Sequence, residues 1–202
     1  AIKAYFLAGG QDYIIDLAEK MGITTLDKAH SYGYPLALGA GEVPLEEMVT
    51  AFSVFANSGK KPTLTYIKKI ENVNGDIIEE TEEKDPVEVL EPQIAYLISD
   101  ILSDESIKIG GNLSIANHTV AAKTGTSTKE NKKEAKGAVY PADGWVIGYT
   151  PYITTGVWVG NADGSPMFLN GNGHDTAGSI FKSVMTKALE DLPNESFDEP
   201  KG

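Results

Sequence analysis

Three segments in the second half of the chain limit its fold most: 119–125 (Thr-Val-Ala-Ala-Lys-Thr-Gly), 144–150 (Gly-Trp-Val-Ile-Gly-Tyr-Thr) and 154–160 (Thr-Thr-Gly-Val-Trp-Val-Gly). β-Branched and aromatic residues dominate them, the composition of strands in a pleated sheet. Only 151–153 separates the last two. So short a connection makes them antiparallel neighbours, because a parallel pair needs a long crossover. A helix follows, with Ile180, Phe181, Val184, Met185, Ala188 and Leu189 facing inward at helical spacing and Thr176 placed to cap it. Helices packed on an antiparallel sheet of about three strands make an α+β arrangement.

Helical signals occupy the first half. Residues 1–7 read as a helix, so the chain is expected to be a fragment that starts abruptly. Ile14, Ile15, Leu17, Ala18 and Met21 give helical spacing over 12–21, with Gly22 as a stop. Pro44 is placed at a first helical position, and Leu45, Met48, Val49, Phe52 and Phe55 form one apolar face before Gly59. Asn74-Gly75, between 65–73 and 76–81, signals a hairpin. Residues 79–85 are acidic and read as solvated. Pro92 opens a further helix, with Ile94, Leu97, Ile98, Ile101 and Leu102 expected inward. Segment 127–142 is polar and reads as a mobile loop, with Lys129, Lys132, Lys133 and Lys136 interleaved with Glu130 and Glu134. The domain body is expected over 1–192, and 193–202 reads as a disordered acidic tail.

Composition excludes several functions. The net charge is −12 and none of the 17 basic residues is arginine, so no nucleic-acid partner is expected. Cysteine is absent, which removes disulfides and thiolate metal sites. No run reaches the roughly 18 apolar residues of a membrane span, and no signal peptide opens the chain. His30, His118 and His174 lack metal-ligand spacing, and no cofactor is expected. Gly171-Asn172-Gly173 follows no parallel strand and does not read as a phosphate cradle. Trp145 and Trp158 read as sheet-face packing before ligand platforms. Three glycosylation sequons, at Asn112, Asn117 and Asn194, carry no weight.

The chemistry concentrates in Ala121-Ala122-Lys123-Thr124-Gly125-Thr126-Ser127. A lysine offers fixed positive charge, small hydroxyls hydrogen-bond a carboxylate, and glycine admits close backbone approach. A backbone N–H just beyond it can face a tetrahedral oxyanion. Lys-Thr-Gly on a strand is the third signature element of the penicillin-binding proteins and serine β-lactamases. Alone the tripeptide says little; its neighbours say more. Asp143-Gly144-Trp145-Val146-Ile147-Gly148-Tyr149-Thr150-Pro151 follows, then Thr155-Gly156-Val157-Trp158-Val159-Gly160-Asn161-Ala162-Asp163-Gly164-Ser165-Pro166-Met167. Upstream stand Leu38-Gly39-Ala40-Gly41-Glu42-Val43-Pro44-Leu45-Glu46-Glu47-Met48 and Phe55-Ala56-Asn57-Ser58-Gly59. In order and approximate spacing these blocks resemble the C-terminal part of the transpeptidase domain of class A penicillin-binding proteins, over about residues 4–192.

The resemblance implies a fragment of the penicillin-binding protein/serine β-lactamase-like fold, with a sheet remnant of about three of the family's five strands. It implies a peptidoglycan D,D-transpeptidase that forms a serine acyl-enzyme on D-alanyl-D-alanine stem peptides and is trapped by β-lactams. Lys123 would anchor electrostatically, and the Thr124 and Thr126 hydroxyls would hold the substrate carboxylate. Gly125 would allow close approach, and the Thr126 N–H would complete the oxyanion hole. The family also needs a Ser-x-x-Lys nucleophile pair and a Ser-x-Asn element, and Ser-x-Asn is absent here. Ser58…Lys61 and Ser179…Lys182 match the first formally, but Gly59 breaks the one turn and Ser179 follows the Lys-Thr-Gly strand against family order. The resemblance therefore puts both elements just before Ala1, in a missing N-terminal half of the domain, and leaves the fragment alone inactive. Family members of this class add a glycosyltransferase domain and an anchor at the extracytoplasmic face of the bacterial membrane. Two other readings stay open: a non-catalytic penicillin-binding-like regulatory domain, and a serine β-lactamase or D,D-carboxypeptidase.

Overall fold

A computed structural model describes residues 1–106, 112–130, 139–167 and 172–201. Helix α1 (Ile2–Leu7) leads into α2 (Gln11–Met21), which buries Ile15 and Met21. Gly22 ends α2 in the left-handed region at φ 111°, and the following Ile23 N–H reaches back to the Ala18 carbonyl at 2.9 Å. A 3₁₀ turn, Tyr34–Leu38, precedes α3 (Leu45–Ala56). Pro44 stands one place before the expected position: its ψ of 145° makes it the residue preceding the helix.

The α3 stripe expected from the sequence faces the sheet. Leu45 and Val49 lie over Gly156, where an added Cβ would come within 2.9 and 2.5 Å of them. The Phe52 and Phe55 rings lie 6.3 and 6.4 Å from the Tyr149 ring. Ala51 and Val54 are buried deeper still, in a small second core with Met21. Glu47, in the first turn of α3, takes four hydrogen bonds from the backbones and hydroxyls of Thr24 and Thr25 at 2.7–3.3 Å. Partial burial raises its carboxyl pKa, but those bonds outweigh it and the net shift is downward.

Four short strands follow. β1 (Lys60–Lys61) pairs antiparallel with β4 (Val87–Glu88). Between them, β2 (Lys69–Glu71) and β3 (Ile77–Glu80) form the expected hairpin. Asn72 Oδ1 accepts the Asn74 and Asp76 N–H groups, and Gly75 takes φ 87°.

Helix α4 (Pro92–Ser103) turns a different face inward from the one expected. Ala95 and Ser99 are buried, while Ile94, Leu97 and Ile101 are 45, 58 and 53% exposed. The small residues let the helix come close. Ser99 Oγ bonds the Ala95 carbonyl at 2.9 Å and the Tyr149 hydroxyl at 3.0 Å, a polar contact that hydrophobic spacing cannot signal.

The main sheet is antiparallel in the order β5-β6-β7: β5 (Ala121–Glu130), β6 (Val139–Tyr149) and β7 (Thr154–Gly160). The first two strands run further than expected. Within the stretch expected as a mobile loop, residues 128–130 pair with 139–141 and Ser127 pairs with Asp143, on either side of a register shift at Ser127/Thr128 that leaves Ala142 without a partner on β5. The pairing supplies partners for backbone groups despite the polar side chains. Lys132, Lys133 and Lys136 lie outside the described residues. The last helix, α5 (Ser179–Leu189), follows a π-helical turn at His174–Gly178.

Alternation sorts the layers. Ala122, Val146 and Val157 share a face and pack against Phe181, Met185 and Leu189 of α5. Tyr149 and Gly156 are on the other face, against α3 and α4. The result is a helix–sheet–helix sandwich, the α+β arrangement expected. Ile180 and Val184, expected inward, remain largely exposed, because one helix face meets the sheet and Phe181 and Met185 fill it.

The segment beyond Leu192 contrasts with its expected disorder. Residues 193–201 form neither helix nor strand, yet Asn194 Oδ1 accepts the Thr119 N–H at 2.9 Å and the Phe197 ring lies 5.4 Å from that of Tyr149. One aromatic residue supplies the apolar anchor that acidic composition obscures.

Candidate substrate-binding strand

Lys123, Thr124, Gly125 and Thr126 lie within β5, one of the two edge strands of the described sheet. They pair with Ile147, Val146, Trp145 and Gly144 respectively. On an edge strand every second N–H and C=O points away from the partner and can receive another extended chain. Their positions divide between the two faces of the sheet. Lys123 and Gly125 point to the α3/α4 side, and Thr124 and Thr126 to the α5 side. The outer edge itself is what all four residues share.

Each group is held by a neighbour. The exposed Lys123 ammonium donates to the Thr124 carbonyl at 2.7 Å. Gly125 sits opposite Trp145, and an added Cβ would lie 3.3 Å from the Trp145 Cβ. The Thr126 hydroxyl accepts the Gly173 N–H at 2.8 Å. That leaves the hydroxyl proton to donate outward. Gly173 is close enough that an added Cβ would meet the Gly125 carbonyl oxygen at 2.3 Å and that of Trp145 at 2.6 Å. Gly144 makes room in the same way, since a Cβ there would lie 1.9 Å from Thr176 Oγ1.

The turn that carries Gly173 begins at Asn172. The Asn172 side-chain oxygen accepts the N–H groups of His174 and Asp175 at 2.9 and 3.3 Å. Asn172 thus plays the capping part expected of Thr176, whose hydroxyl instead donates to the Asn172 carbonyl at 3.1 Å. His174 lies 3.3 Å from Asp175, and with the Asn172 N–H it draws the Asp175 carboxyl below its usual range.

Asp143, which sequence reasoning did not single out, organises the other side of the strand. Its carboxylate accepts the Ser127 hydroxyl on one oxygen and the Trp158 indole N–H, at 3.0 Å, on the other. Trp145 and Trp158 are direct register partners on the α3/α4 face, beside Gly125. Asp143 heads the Asp-Gly-Trp block, so its place was legible, but its partners needed the register of three strands.

The two formal Ser-x-x-Lys matches are not part of this arrangement. Ser58 sits beyond the end of α3 at φ 50°, in a turn that does not present one helical face. Ser179 starts α5, across the sheet from the face that carries Lys123. His30 and His118 do not join the strand either: His30 contacts the Tyr32 ring and His118 bridges Ile115. Among the described residues no three His, Asp or Glu side chains converge as metal ligands. An open groove of about 1230 Å³ lies between α3, the β2–β3 hairpin and the β6–β7 turn, and no residue of 121–127 lines it. Its lining mixes solvated lysines and glutamates without a convergent set, so the strand edge is the stronger candidate. Among the described residues no helix is long and apolar enough to cross a membrane.

The family model for the penicillin binding protein transpeptidase domain matches residues 6–186. Penicillin-binding protein 1A of Aquifex aeolicus is 29% identical over 191 residues, 95% of this chain and 24% of that protein. Penicillin-binding protein 2D of Bacillus subtilis is 29% identical over 204 residues, 100% of this chain and 28% of its own length. The chain thus spans about a quarter of the curated relatives it matches. Among solved structures, the penicillin-binding protein PonA1 of Mycobacterium tuberculosis superposes with a TM-score of 0.79 at 24% identity, over 96% of this chain and 54% of that one. The same protein in complex with penicillin V gives 0.77. Penicillin-binding protein 1A of Haemophilus influenzae gives 0.76 at 20% identity, over 98% of this chain and 34% of that one. The chain belongs to the penicillin-binding protein transpeptidase domain family.

Proposed function

We propose that this chain is the substrate-binding part of a serine-type D,D-transpeptidase that cross-links peptidoglycan stem peptides and is inhibited by β-lactams. One observation carries the reading: Lys123, Thr124, Gly125 and Thr126 occupy the outer edge of the sheet, with the Thr126 hydroxyl fixed by the Gly173 N–H. A stem peptide ending in D-alanyl-D-alanine lies along that edge as an added strand. The Thr126 hydroxyl donates to its carboxylate, with the Thr124 hydroxyl as second donor, and Lys123 supplies positive charge. A nucleophilic serine, supplied by a part of the domain outside these 202 residues, attacks the penultimate carbonyl. The oxygen that gains negative charge takes hydrogen bonds from the Thr126 N–H and the serine's own N–H. The tetrahedral intermediate collapses with release of D-alanine, whose nitrogen takes the proton given up by the serine hydroxyl. The acyl group of the resulting ester then passes to the amine of a second stem peptide, which forms the new amide and returns a proton to the serine oxygen. A β-lactam opens its ring in the same first step and keeps its leaving group tethered.

The 202 residues alone then lack the nucleophile and are inactive. In the complete protein the domain works at the extracytoplasmic face of the bacterial membrane, alongside a glycosyltransferase domain and an anchor. Incubation with a labelled penicillin followed by mass spectrometry tests the reading. The complete protein is expected to gain one covalent adduct, strongly slowed by Lys123→Ala, and the 202 residues none. An adduct on Ser58 or Ser179, or none on the complete protein, overturns it.

A further inference from the structure

We infer that residues 192–200 are a strap that positions the Lys123–Thr126 edge, with Asn194 and Phe197 as its positioning residues. Leu192, partly buried, packs against the main core on the α5 side of the sheet. Asn194 then takes the Thr119 N–H across 75 residues of sequence, just ahead of β5. Glu195 lies near Tyr152 of the β6–β7 turn and pushes its phenol pKa upward. Phe197 arrives on the opposite face, in a recess it shares with Phe55, Pro92, Tyr96 and Ser99. The segment therefore rounds the end of the sheet and grips both of its faces.

Its two anchors converge on the start of β5. Phe197 packs edge-on against Tyr149, and Tyr149 is the register partner of Ala121, the first residue of that strand. Asn194 holds the backbone of Thr119, two places before Ala121. The start of β5 is its buried end: Val120, Ala121 and Ala122 are 3, 0 and 6% exposed, and the exposed Lys123 follows directly. The strap covers that end from outside the strand, so its loss would loosen 119–122 and with them the placing of Lys123. Held closed, it keeps the edge extended for an incoming peptide.

The inference rests on the proposed transpeptidase reading, and its test separates the two. Asn194→Ala, Phe197→Ala and Phe197→Leu are made in the complete transpeptidase. Amide hydrogen exchange over 119–126 and the acylation rate by a labelled penicillin are measured well below each variant's unfolding temperature. Asn194→Ala and Phe197→Ala are expected to speed exchange at 119–123 by about tenfold and to slow acylation several-fold, while Phe197→Leu restores most of both. Lower unfolding temperatures with unchanged exchange and acylation would show a stabilising tail only and overturn the inference. If the wild type is not acylated, the transpeptidase reading fails, and unchanged exchange at 119–123 then overturns the strap as well.

Discussion

Gly173 donates its backbone N–H to the Thr126 hydroxyl at 2.8 Å, joining the turn before α5 to the edge strand across 47 residues. The bond fixes the oxygen and leaves the proton for a ligand. Thr126→Val keeps the shape and the backbone N–H but removes both roles of the hydroxyl. A hydrogen bond to a charged group is worth about 1.5–3 kcal/mol. In the complete protein, acylation by one β-lactam is expected to fall about ten- to a hundredfold. Ser127→Ala, whose hydroxyl is spent on Asp143, should cost much less. Parallel acylation rates for the two variants check the assignment, and equal losses contradict it.

Gly173→Ala should be more damaging than its chemistry suggests. The new Cβ would lie 2.3 Å from the Gly125 oxygen and 2.6 Å from that of Trp145, both backbone atoms that no rotamer change can move. Overpacking of this kind costs about 1–3 kcal/mol. Gly75→Ala meets nothing within 4 Å and bears only the strain of φ 87°, so its loss is expected near 1 kcal/mol. Thermal unfolding of the two variants is expected to rank Gly173→Ala as the less stable.

Tyr149 predicts an alkaline transition. Burial pushes its phenol up to about 12 from 10, although the bond to Ser99 opposes the shift. A phenol whose pKa is raised on folding contributes its full stability below pH 10 and loses it as pH climbs toward 12. The loss attributable to this group amounts to about 2–3 kcal/mol. Tyr149→Phe is expected to cost about 1 kcal/mol at neutral pH, through the Ser99 bond, and to show a shallower decline above pH 10. Denaturant unfolding at a series of pH values measures both effects.

Glu47 predicts the acid counterpart. Its carboxyl is held below the ordinary 4.5 by Thr24 and Thr25, so its contribution is complete above that pH and disappears as pH falls through the lowered value. Glu47→Gln, which replaces one acceptor oxygen with an amide, is expected to cost about 1 kcal/mol near pH 7, solvent screening keeping the figure small. The gap to wild type should close at acid pH. Equal stability of the two proteins at neutral pH would show that the four bonds to Glu47 do not support the 24–25 turn.

Local chemistry alone was enough to read much of this molecule. The α2 stop at Gly22, the Asn-Gly hairpin and the three β-branched strands depend on residues adjacent in sequence, whose backbone preferences act without help from the rest of the chain. The face of α4 did not: Ala95 and Ser99 point inward because Tyr149 waits there, 50 residues from Ser99. Likewise Phe197 in an acidic tail, Asn172 before α5 and Asp143 between Ser127 and Trp158 acquire their roles only from what the fold brings beside them. Composition averages over such residues, and periodicity detects a stripe but not its partner. Packing decides between an apolar face and a close polar one, and packing exists only once distant segments meet.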